Sequence, residues 1–399
     1  MRRNFLPILG LLSLFVLGSC SAERDPKIAS LKHAIGVADS QLLDAAAELD
    51  TTNCFPRSLM PRFRAVDAKD WTSGFFPGSL WQCYRFTGDE KLLAEAEKYT
   101  GRLEGIQYYK GTHDLGFMVF CSFGQQMQTL HDRHSEAVIV EAAKSLVSRC
   151  DPRIGLIRSW DFGEWNYPVI IDNMMNLEML FWASKHTGDP VYRDVAVRHA
   201  DITMKNHFRD DASSFHVVSY NDDGTVESRG TFQGYSDSSA WARGQAWGLY
   251  GYTMCYRETG DAKYLKHAER IADFIMHHPN TPADRIPYWD YNAPDIPDAP
   301  RDASAAAIMA SAFVDLSSLT NKPEEKGRYL KMAEKQLRTL ASDAYLARPG
   351  ENGNFLLMHS VGSRPDNHEI DVPLTYADYY FLEALLKYSR TTQTKPNNN

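Results

Sequence analysis

The chain has 399 residues, of which 43% are hydrophobic and 24% are charged. These are ordinary globular values, and the length allows two average domains or one large barrel with a continuous core. The formal net charge of −8 argues against nucleic acid as a partner and provides no general attraction to an anionic polymer. Any acidic substrate must therefore be recognised by a few local basic groups.

The N-terminus carries a targeting pattern. Two arginines precede an apolar run over 5–17, and the sequence Leu17-Gly-Ser-Cys20 follows. The run is too short to span a membrane, and a cysteine after small residues resembles a bacterial lipobox. We expect residues 1–20 to be a lipoprotein signal peptide. Cys20 would carry the lipid that tethers the exported protein in the periplasm, at the outer membrane or at the cell surface. An ordinary signal peptide with a chance cysteine is the alternative.

A Thr-Gly-Asp sequence recurs at 87–89, 187–189 and 259–261, and Thr320 begins a degenerate fourth copy. Glycine is suited to the left-handed position that ends a helix, and aspartate is suited to capping the next helix. Each copy therefore predicts the short turn of a helical hairpin.

Two kinds of segment flank these turns. Apolar, aromatic-rich segments precede them, and amphipathic segments follow. The apolar segments are 71–86, 117–130, 172–186, 241–258, 303–319 and 376–389, and the amphipathic ones are 28–49, 90–103, 135–148, 191–206, 262–277 and 324–340. Helices that are apolar all round lie inside, and amphipathic helices lie outside. We therefore predict an all-α fold, an (α/α)6 barrel of six hairpins that forms one domain over 27–390, with a disordered tail over 391–399.

Five long connections each join an outer helix to the next inner one, so all must emerge at the same end of the barrel. Side chains at the starts of the inner helices should converge there. These residues are Trp71, His113, Asp114, Asp172, Asn173, Trp241, Arg243, Trp247, Arg301, Asp302 and Asp371.

Asp114 and Asp172 are the candidate catalytic pair. Either aspartate alone is more often a helix cap. Two carboxyl groups aimed into one aromatic mouth favour proton transfer, because burial and mutual repulsion keep one of them protonated. Arg243 and Trp247 are four residues apart on one helix, which predicts a guanidinium over an aromatic floor that could seat a carboxylated ring. A tryptophan core with a solvated arginine is the alternative.

Other chemistry has no sequence signal. The chain contains no P-loop, no GxGxxG, no HExxH and no GxSxG motif. We therefore predict no metal and no cofactor. The five cysteines after Cys20 form no CxxC pair and are interpreted as buried free thiols.

The sequence around Asp114, the sequence Ile170-Ile171-Asp172-Asn173 and above all the run Trp241-x-Arg-Gly-Gln-Ala-Trp247 resemble the unsaturated glucuronyl hydrolases of glycoside hydrolase family 88. The similarity covers almost the whole chain after the signal. It implies the six-hairpin barrel and the hydration of the C4=C5 double bond that polysaccharide lyases leave in a non-reducing uronate. The expected partner is an oligosaccharide that ends in this uronate. The resemblance leaves open whether the protein is a monomer or a dimer.

The resemblance also implies roles for individual residues. Asp172 should donate a proton to C4 and activate the water that adds at C5. Asp114 should bind sugar hydroxyls and help to keep Asp172 protonated. The subsite for the unsaturated ring should be lined by Trp71, His216, Gln233, Trp241, Arg243 and Trp247.

A loop near the C-terminus departs from the family pattern. Members that prefer chondroitin or hyaluronan place serines and a lysine there. Ser363 matches one serine, whereas Asp366 and His368 occupy the second serine position and the lysine position. Arg364 and His368 are expected to contact an anionic neighbouring sugar, while the polymer itself stays open among chondroitin, hyaluronan, heparan and plant or algal sources.

Three alternatives remain at this point. One is the related unsaturated rhamnogalacturonyl hydrolase, against which the Trp241–Trp247 run argues. Another is a non-catalytic glycan-binding lipoprotein, which would not need two convergent aspartates. The third is an inverting glycosidase with Glu164 as its acid.

Overall fold

The computed structural model describes residues 26–393, so the predicted signal peptide and Cys20 lie outside the described residues. Twelve α-helices lie in the described range. In chain order they are α1 Pro26–Glu48, α2 Phe75–Thr87, α3 Glu90–Gly101, α4 Phe123–Leu130, α5 Arg133–Val147, α6 Leu177–Thr187, α7 Pro190–Asn206, α8 Ala242–Thr259, α9 Ala262–His277, α10 Ala303–Leu319, α11 Pro323–Leu340 and α12 Thr375–Gln393.

The Thr-Gly-Asp turns close hairpins in the predicted way. Gly88 ends α2 with a φ of 69°, in the left-handed region that favours glycine. Asp89 then caps α3, and its carboxylate accepts a backbone N–H of the first turn. The turns at 187–189 and 259–261 repeat both features.

The even-numbered helices form the inner ring, and the odd-numbered helices pack around them. Helix α12 contacts both α10 and α2, which closes the ring. Helix α4 reaches α6 through the helical turn that precedes it. The prediction of an (α/α)6 barrel is therefore confirmed, because the apolar segments lie inside and the amphipathic ones outside.

Aromatic side chains fill the axis of the barrel. The ring of Phe117 packs against those of Phe75 and Trp247, with centroid distances of 5.3 and 5.2 Å. Trp247 in turn packs against Tyr380 at 5.5 Å. The axis is a packed core and not a pore, which leaves the barrel ends as the places for a cavity.

Short strands lie in the connections, where the sequence analysis predicted only loops. They are β1 Phe55–Leu59, β2 Phe63–Val66, β3 Cys150–Asp151, β4 Leu156–Ile157, β5 Pro168–Ile170, β6 Val217–Tyr220, β7 Val226–Gly230, β8 Ser360–Ser363 and β9 His368–Val372. All pairings are antiparallel, in the sheets β1-β2, β3-β4, β5-β6-β7 and β8-β9. Backbone pairing gives these long connections fixed shapes.

Several predicted boundaries are wrong near the long connections. The inner segment predicted from residue 117 begins with a π-helical turn, Gly116–Phe120, where the Phe117 N–H donates to Asn176 Oδ1 at 3.1 Å. The segment predicted from 172 begins with a 3-10 helix, Ile171–Asn176. Helix α12 continues to Gln393, so the predicted tail begins as helix, and the rest of it lies outside the described residues.

The five cysteines in the described range are free thiols. Cys83, Cys121 and Cys255 are buried, as predicted, whereas Cys54 and Cys150 are only partly buried.

Candidate active site

A cavity of about 460 Å³ lies where the long connections converge. Strand β8, the 3-10 helix and the start of α8 all contribute to its wall. The predicted site residues that line it are Trp71, His113, Asp114, Asp172, Gln233, Arg243, Ser363 and His368.

Strand pairing brings Asp172 and His216 together. Ile170 of β5 pairs with Val217 of β6, and the Ile171 N–H donates to the His216 carbonyl at 3.1 Å. The two side chains therefore leave the same edge of the sheet, with His216 Nε2 3.6 Å from Asp172 Oδ2. Ile170 occupies the N-cap position of the 3-10 helix, so Asp172 does not serve as its cap.

The Asp172 carboxyl is suited to hold a proton. It is 7% exposed, and its Oδ2 atom has no hydrogen-bond partner among the described residues. Burial raises the pKa of Asp172 from 3.8 to about 6. Arg243 and His113 act against this rise, and the nearby Asp114 adds to it. Asp172 is therefore an acid that is partly protonated near neutral pH.

His216 is a neutral hydrogen-bond donor. The backbone N–H groups of Phe232 and Gln233 both donate to its Nδ1 atom, each at 3.1 Å. Burial and the charge of Arg243 lower the pKa of His216 to about 3. Since Nδ1 accepts, the proton of the neutral ring lies on Nε2, which faces Asp172.

The second carboxylate is attached to the same sheet. The His113 N–H donates to the Ser159 carbonyl at 3.1 Å, and the Ser159 N–H donates to the Pro168 carbonyl at 2.9 Å. The Asp114 carboxylate accepts from the Thr112 hydroxyl and lies 3.1 Å from His113 Nε2. It is half-buried, so it faces the cavity while remaining partly hydrated.

Arg243 does not stack on Trp247, and that prediction is wrong. Its Nη2 atom donates to the Gly362 carbonyl at 2.7 Å, and its Nη1 atom lies 3.1 Å from Asp302 Oδ2. Its guanidinium carbon lies 4.5 Å from the ring centre of Trp241. Since α8 begins at Ala242, Arg243 lies in its first turn and extends back towards β8. It anchors this strand and places a buried positive charge near Asp172.

Four predicted substrate contacts, namely His216, Trp241, Trp247 and Arg364, lie outside the cavity lining. Trp247 is fully buried in the barrel core. Trp241 is also buried and packs its ring 4.5 Å from that of His216. Arg364 is exposed on the β8–β9 turn. His216 is also buried, and its Nε2 atom lies 3.6 Å from Asp172 Oδ2.

An aromatic rim was missed by the sequence analysis. It consists of Trp160, Phe162, Trp165 and Phe232, and all but Trp165 line the cavity. Trp160 and Phe162 stack with centroids 4.8 Å apart and planes 22° apart, although Phe162 is 55% exposed. The aromatic density of residues 160–165 in a long connection was the available signal.

A charged wall on the other side was also missed. Arg57 of β1 donates to Glu369 of β9 at 2.9 Å and to Asp70 at 2.8 Å, and the Ser58 hydroxyl donates to Glu369 at 2.7 Å. Burial acts to raise the pKa of Glu369, but the hydrogen bonds from Arg57 and Ser58 outweigh it and hold the pKa low. The partners are 312 residues apart in the chain, so no local pattern could predict the pair.

The backbone of this wall is strained. Glu369 and Asp371 of β9 both have a φ of 56°, and Asn367 in the turn before this strand has a φ of 52°. Each such residue costs about 1–3 kcal/mol, and strain of this kind persists where surrounding contacts enforce it. The bonds of Glu369 to Arg57 and Ser58 supply that enforcement beside the cavity.

Together, the barrel, the paired carboxyl groups and the aromatic rim define a carbohydrate-active hydrolase. The sequence profile of Glycosyl Hydrolase Family 88 matches residues 47–390. The unsaturated glucuronyl hydrolase of Formosa agariphila is 50% identical over 340 residues, which cover 84% of each chain. The unsaturated chondroitin disaccharide hydrolase of Streptococcus pyogenes is 33% identical over 82% of this chain and 83% of its own.

Solved structures agree with these sequence matches. The crystal structure of an unsaturated glucuronyl hydrolase specific for heparin superimposes with a TM-score of 0.89 at 50% identity, covering 92% of this chain and 98% of that one. The chain belongs to glycoside hydrolase family 88.

Proposed function

We propose that the protein removes a 4,5-unsaturated uronic acid from the non-reducing end of lyase-generated oligosaccharides, of the glycosaminoglycan type, by hydrating the double bond. The observation that carries the proposal is the buried Asp172 carboxyl, with a pKa raised to about 6, on the wall of an aromatic-lined cavity. The names of the relatives support the substrate class.

The chemistry requires one group that first gives a proton and then takes one. Asp172 protonates C4 of the alkene, and positive charge develops at C5, where the ring oxygen shares it. Water then adds at C5 and returns a proton to the Asp172 carboxylate. The hemiketal opens to a ketone, and the aldehyde forms at C1 as the leaving sugar departs.

We expect His216 to stabilise the Asp172 carboxylate that forms when the proton passes to C4. Its Nε2–H faces Asp172 Oδ2 across 3.6 Å, which is too long for a hydrogen bond to the protonated acid. Once the proton has passed to C4, the carboxylate attracts this donor, and Arg243 adds a buried positive charge. Asp114 is left to bind sugar hydroxyls and to oppose early ionisation of Asp172.

The test follows the alkene and the released sugar in one reaction. With a lyase-generated disaccharide, ultraviolet absorbance of the conjugated alkene should disappear at the rate at which the second sugar appears. Release of sugar with the alkene intact would refute hydration and favour an ordinary glycosidase. Glu164, the acid required by that alternative, is exposed and lies outside the cavity lining.

The edge of the cavity at the β8–β9 turn supports a narrower proposal about the leaving sugar. The Ser363 hydroxyl donates to Asp366 at 2.6 Å, so an exposed carboxylate occupies this edge of the cavity. His368 Nε2 lies 2.7 Å from an Arg64 nitrogen and must accept, since a guanidinium only donates. We infer a preference for a leaving sugar that carries no anionic group opposite Asp366.

We also propose that the protein is an exported lipoprotein. The support is the signal pattern over 1–20 with its cysteine. Separately, none of the helices within residues 26–393 is long and apolar enough to cross a membrane. The wild-type protein should incorporate a labelled fatty acid and sediment with membranes. Cys20→Ser should lose both properties, and unchanged labelling of that variant would refute the proposal.

A further inference from the structure

Three polar side chains form a row on the buried face of an outer helix. His199 and Thr203 lie on α7, and His207 is its C-terminal cap residue. The spacing of four residues puts them on one face, in a row about 12 Å long. All three are 0% exposed. Most polar side chains of an outer helix face solvent, so this buried row requires partners.

The row has unused hydrogen-bonding atoms. His199 Nε2, Thr203 Oγ1 and both ring nitrogens of His207 have no partner among the described residues. The helical threonines Thr187 and Thr253 donate to the carbonyl four residues earlier, at 2.8 and 2.7 Å, whereas the Thr203 hydroxyl does not. Buried polar atoms of this kind are satisfied by ordered water when the protein offers no partner.

One end of the row leads to the catalytic segment. His199 Nδ1 accepts from the Ile157 N–H at 3.1 Å, so its Nε2 carries the ring proton. The Ile157 carbonyl accepts from the Asn173 side chain at 2.8 Å, and Asn173 directly follows Asp172. Asn173 Oδ1 is also buried and unpartnered within the described residues.

The other end leads to the histidine that faces the catalytic acid. The Phe215 N–H donates to the His207 carbonyl at 2.8 Å, and His216 follows in the chain. His216 Nε2 and Asp172 Oδ2 are both buried atoms without a partner in the described part of the chain. Unpartnered donors and acceptors are thus found both along α7 and at Asp172.

We propose that the row His199–Thr203–His207 binds a line of ordered internal water molecules behind Asp172, and that this line replaces the water that each turnover consumes. The inference rests on the proposed function. One water is used per bond cleaved: its oxygen bonds to C5, and one proton goes to the Asp172 carboxylate. In this proposal the replacement water reaches Asp172 from the side of α7, and not through the cavity that binds the sugar.

Thr203 allows a matched test, because valine removes only the hydroxyl and serine keeps it. Thr203→Val should lower kcat about three- to tenfold, the effect of one lost hydrogen bond to the line, while Thr203→Ser retains most of the activity. KM should not change in either variant, since Thr203 does not line the cavity. Steady-state rates are divided by the concentration of folded protein, so a loss of stability alone does not alter them.

A row that binds no water predicts a different outcome. If the hydroxyl is simply unpaired, Thr203→Val will leave kcat unchanged and raise the melting temperature, because a buried unsatisfied group has been removed. A high-resolution crystal structure of the wild-type enzyme decides the matter if the variant does not fold, and a dry row overturns the proposal. Wild-type protein that consumes no alkene would refute the proposed function instead, and the crystal structure would then test the water line alone.

Discussion

Replacing Asp172 with asparagine keeps the shape of the side chain and removes the transferable proton. General acid–base catalysis by one group contributes about 10²–10⁴-fold, so kcat should fall by that factor while the disaccharide still binds. The assay is loss of alkene absorbance, with binding followed by calorimetry. Glu164→Gln is the matched control, because that carboxylate is exposed and outside the cavity lining.

The same carboxyl sets the pH dependence. The rise in the pKa of Asp172 from 3.8 to about 6 corresponds to about 3 kcal/mol of cost for the ionised form. The proton donor is half ionised at about pH 6, so the wild-type rate should be level well below this pH and fall towards tenfold per pH unit above it. A rate that stays level or rises into alkaline solution would refute the assignment, as would near-normal turnover of Asp172→Asn.

The free energy of unfolding provides an independent measurement of the raised pKa of Asp172. Because the pKa is raised in the folded state, the stability associated with the neutral carboxyl is complete below pH 3.8 and is lost as pH rises through about 6. Asp172→Asn removes this loss. Above pH 6 the variant should therefore be more resistant to urea than the wild type, by up to about 3 kcal/mol. A variant less stable than the wild type at pH 8 would contradict the inferred burial cost.

Three further predictions concern the β8–β9 turn, the barrel core and the packing of the inner helices. Asp366→Ser removes a negative charge that would repel a sulfate on the leaving sugar. The ratio of kcat/KM for sulfated disaccharides to kcat/KM for unsulfated ones should therefore rise about tenfold, and an unchanged ratio would contradict the proposed preference. Trp247→Phe should lower the free energy of unfolding in denaturant by about 1–2 kcal/mol and leave KM unchanged, because Trp247 lies in the barrel core. A raised KM would indicate that Trp247 contacts the substrate. Gly74→Ala should lower the free energy of unfolding by about 1–3 kcal/mol, because its Cβ would lie 2.2 Å from the Phe117 carbonyl oxygen. Gly36→Ala is the control and should stabilise the protein slightly in the same assay, because a Cβ at the exposed Gly36 has nothing within 4 Å.

Helical periodicity and turn residues made the barrel predictable. The hairpin at Gly88 depends on a left-handed residue followed by a capping aspartate, and both preferences are local. The segregation of apolar and amphipathic helices then fits a double ring, in which the apolar helices lie inside and the amphipathic ones outside. The π-helical turn at Gly116–Phe120 was not predictable, because it depends on a contact with Asn176 from another hairpin.

The candidate site was predictable only where single residues carry the signal. Asp114 and Asp172 were identified as carboxyl groups at the starts of inner helices, and both line the cavity. The interpretation of Arg243 was wrong because a helical wheel describes neighbours on the same helix. Its actual partners are the carbonyls of β8 and Asp302, more than fifty residues away.

Asp172 illustrates the division between sequence and tertiary structure. The sequence by itself determined that a carboxyl group lies at this position on an inner helix, because residue type and periodicity are local properties. Only the tertiary structure decided that this carboxyl retains a proton. Its pKa depends on burial and on the charges of Arg243, His113 and Asp114. The pairing of β5 with β6, which lie on either side of α6 and α7 in the chain, brings His216 to face it. These are long-range effects of packing and electrostatics, and no short stretch of sequence contains them.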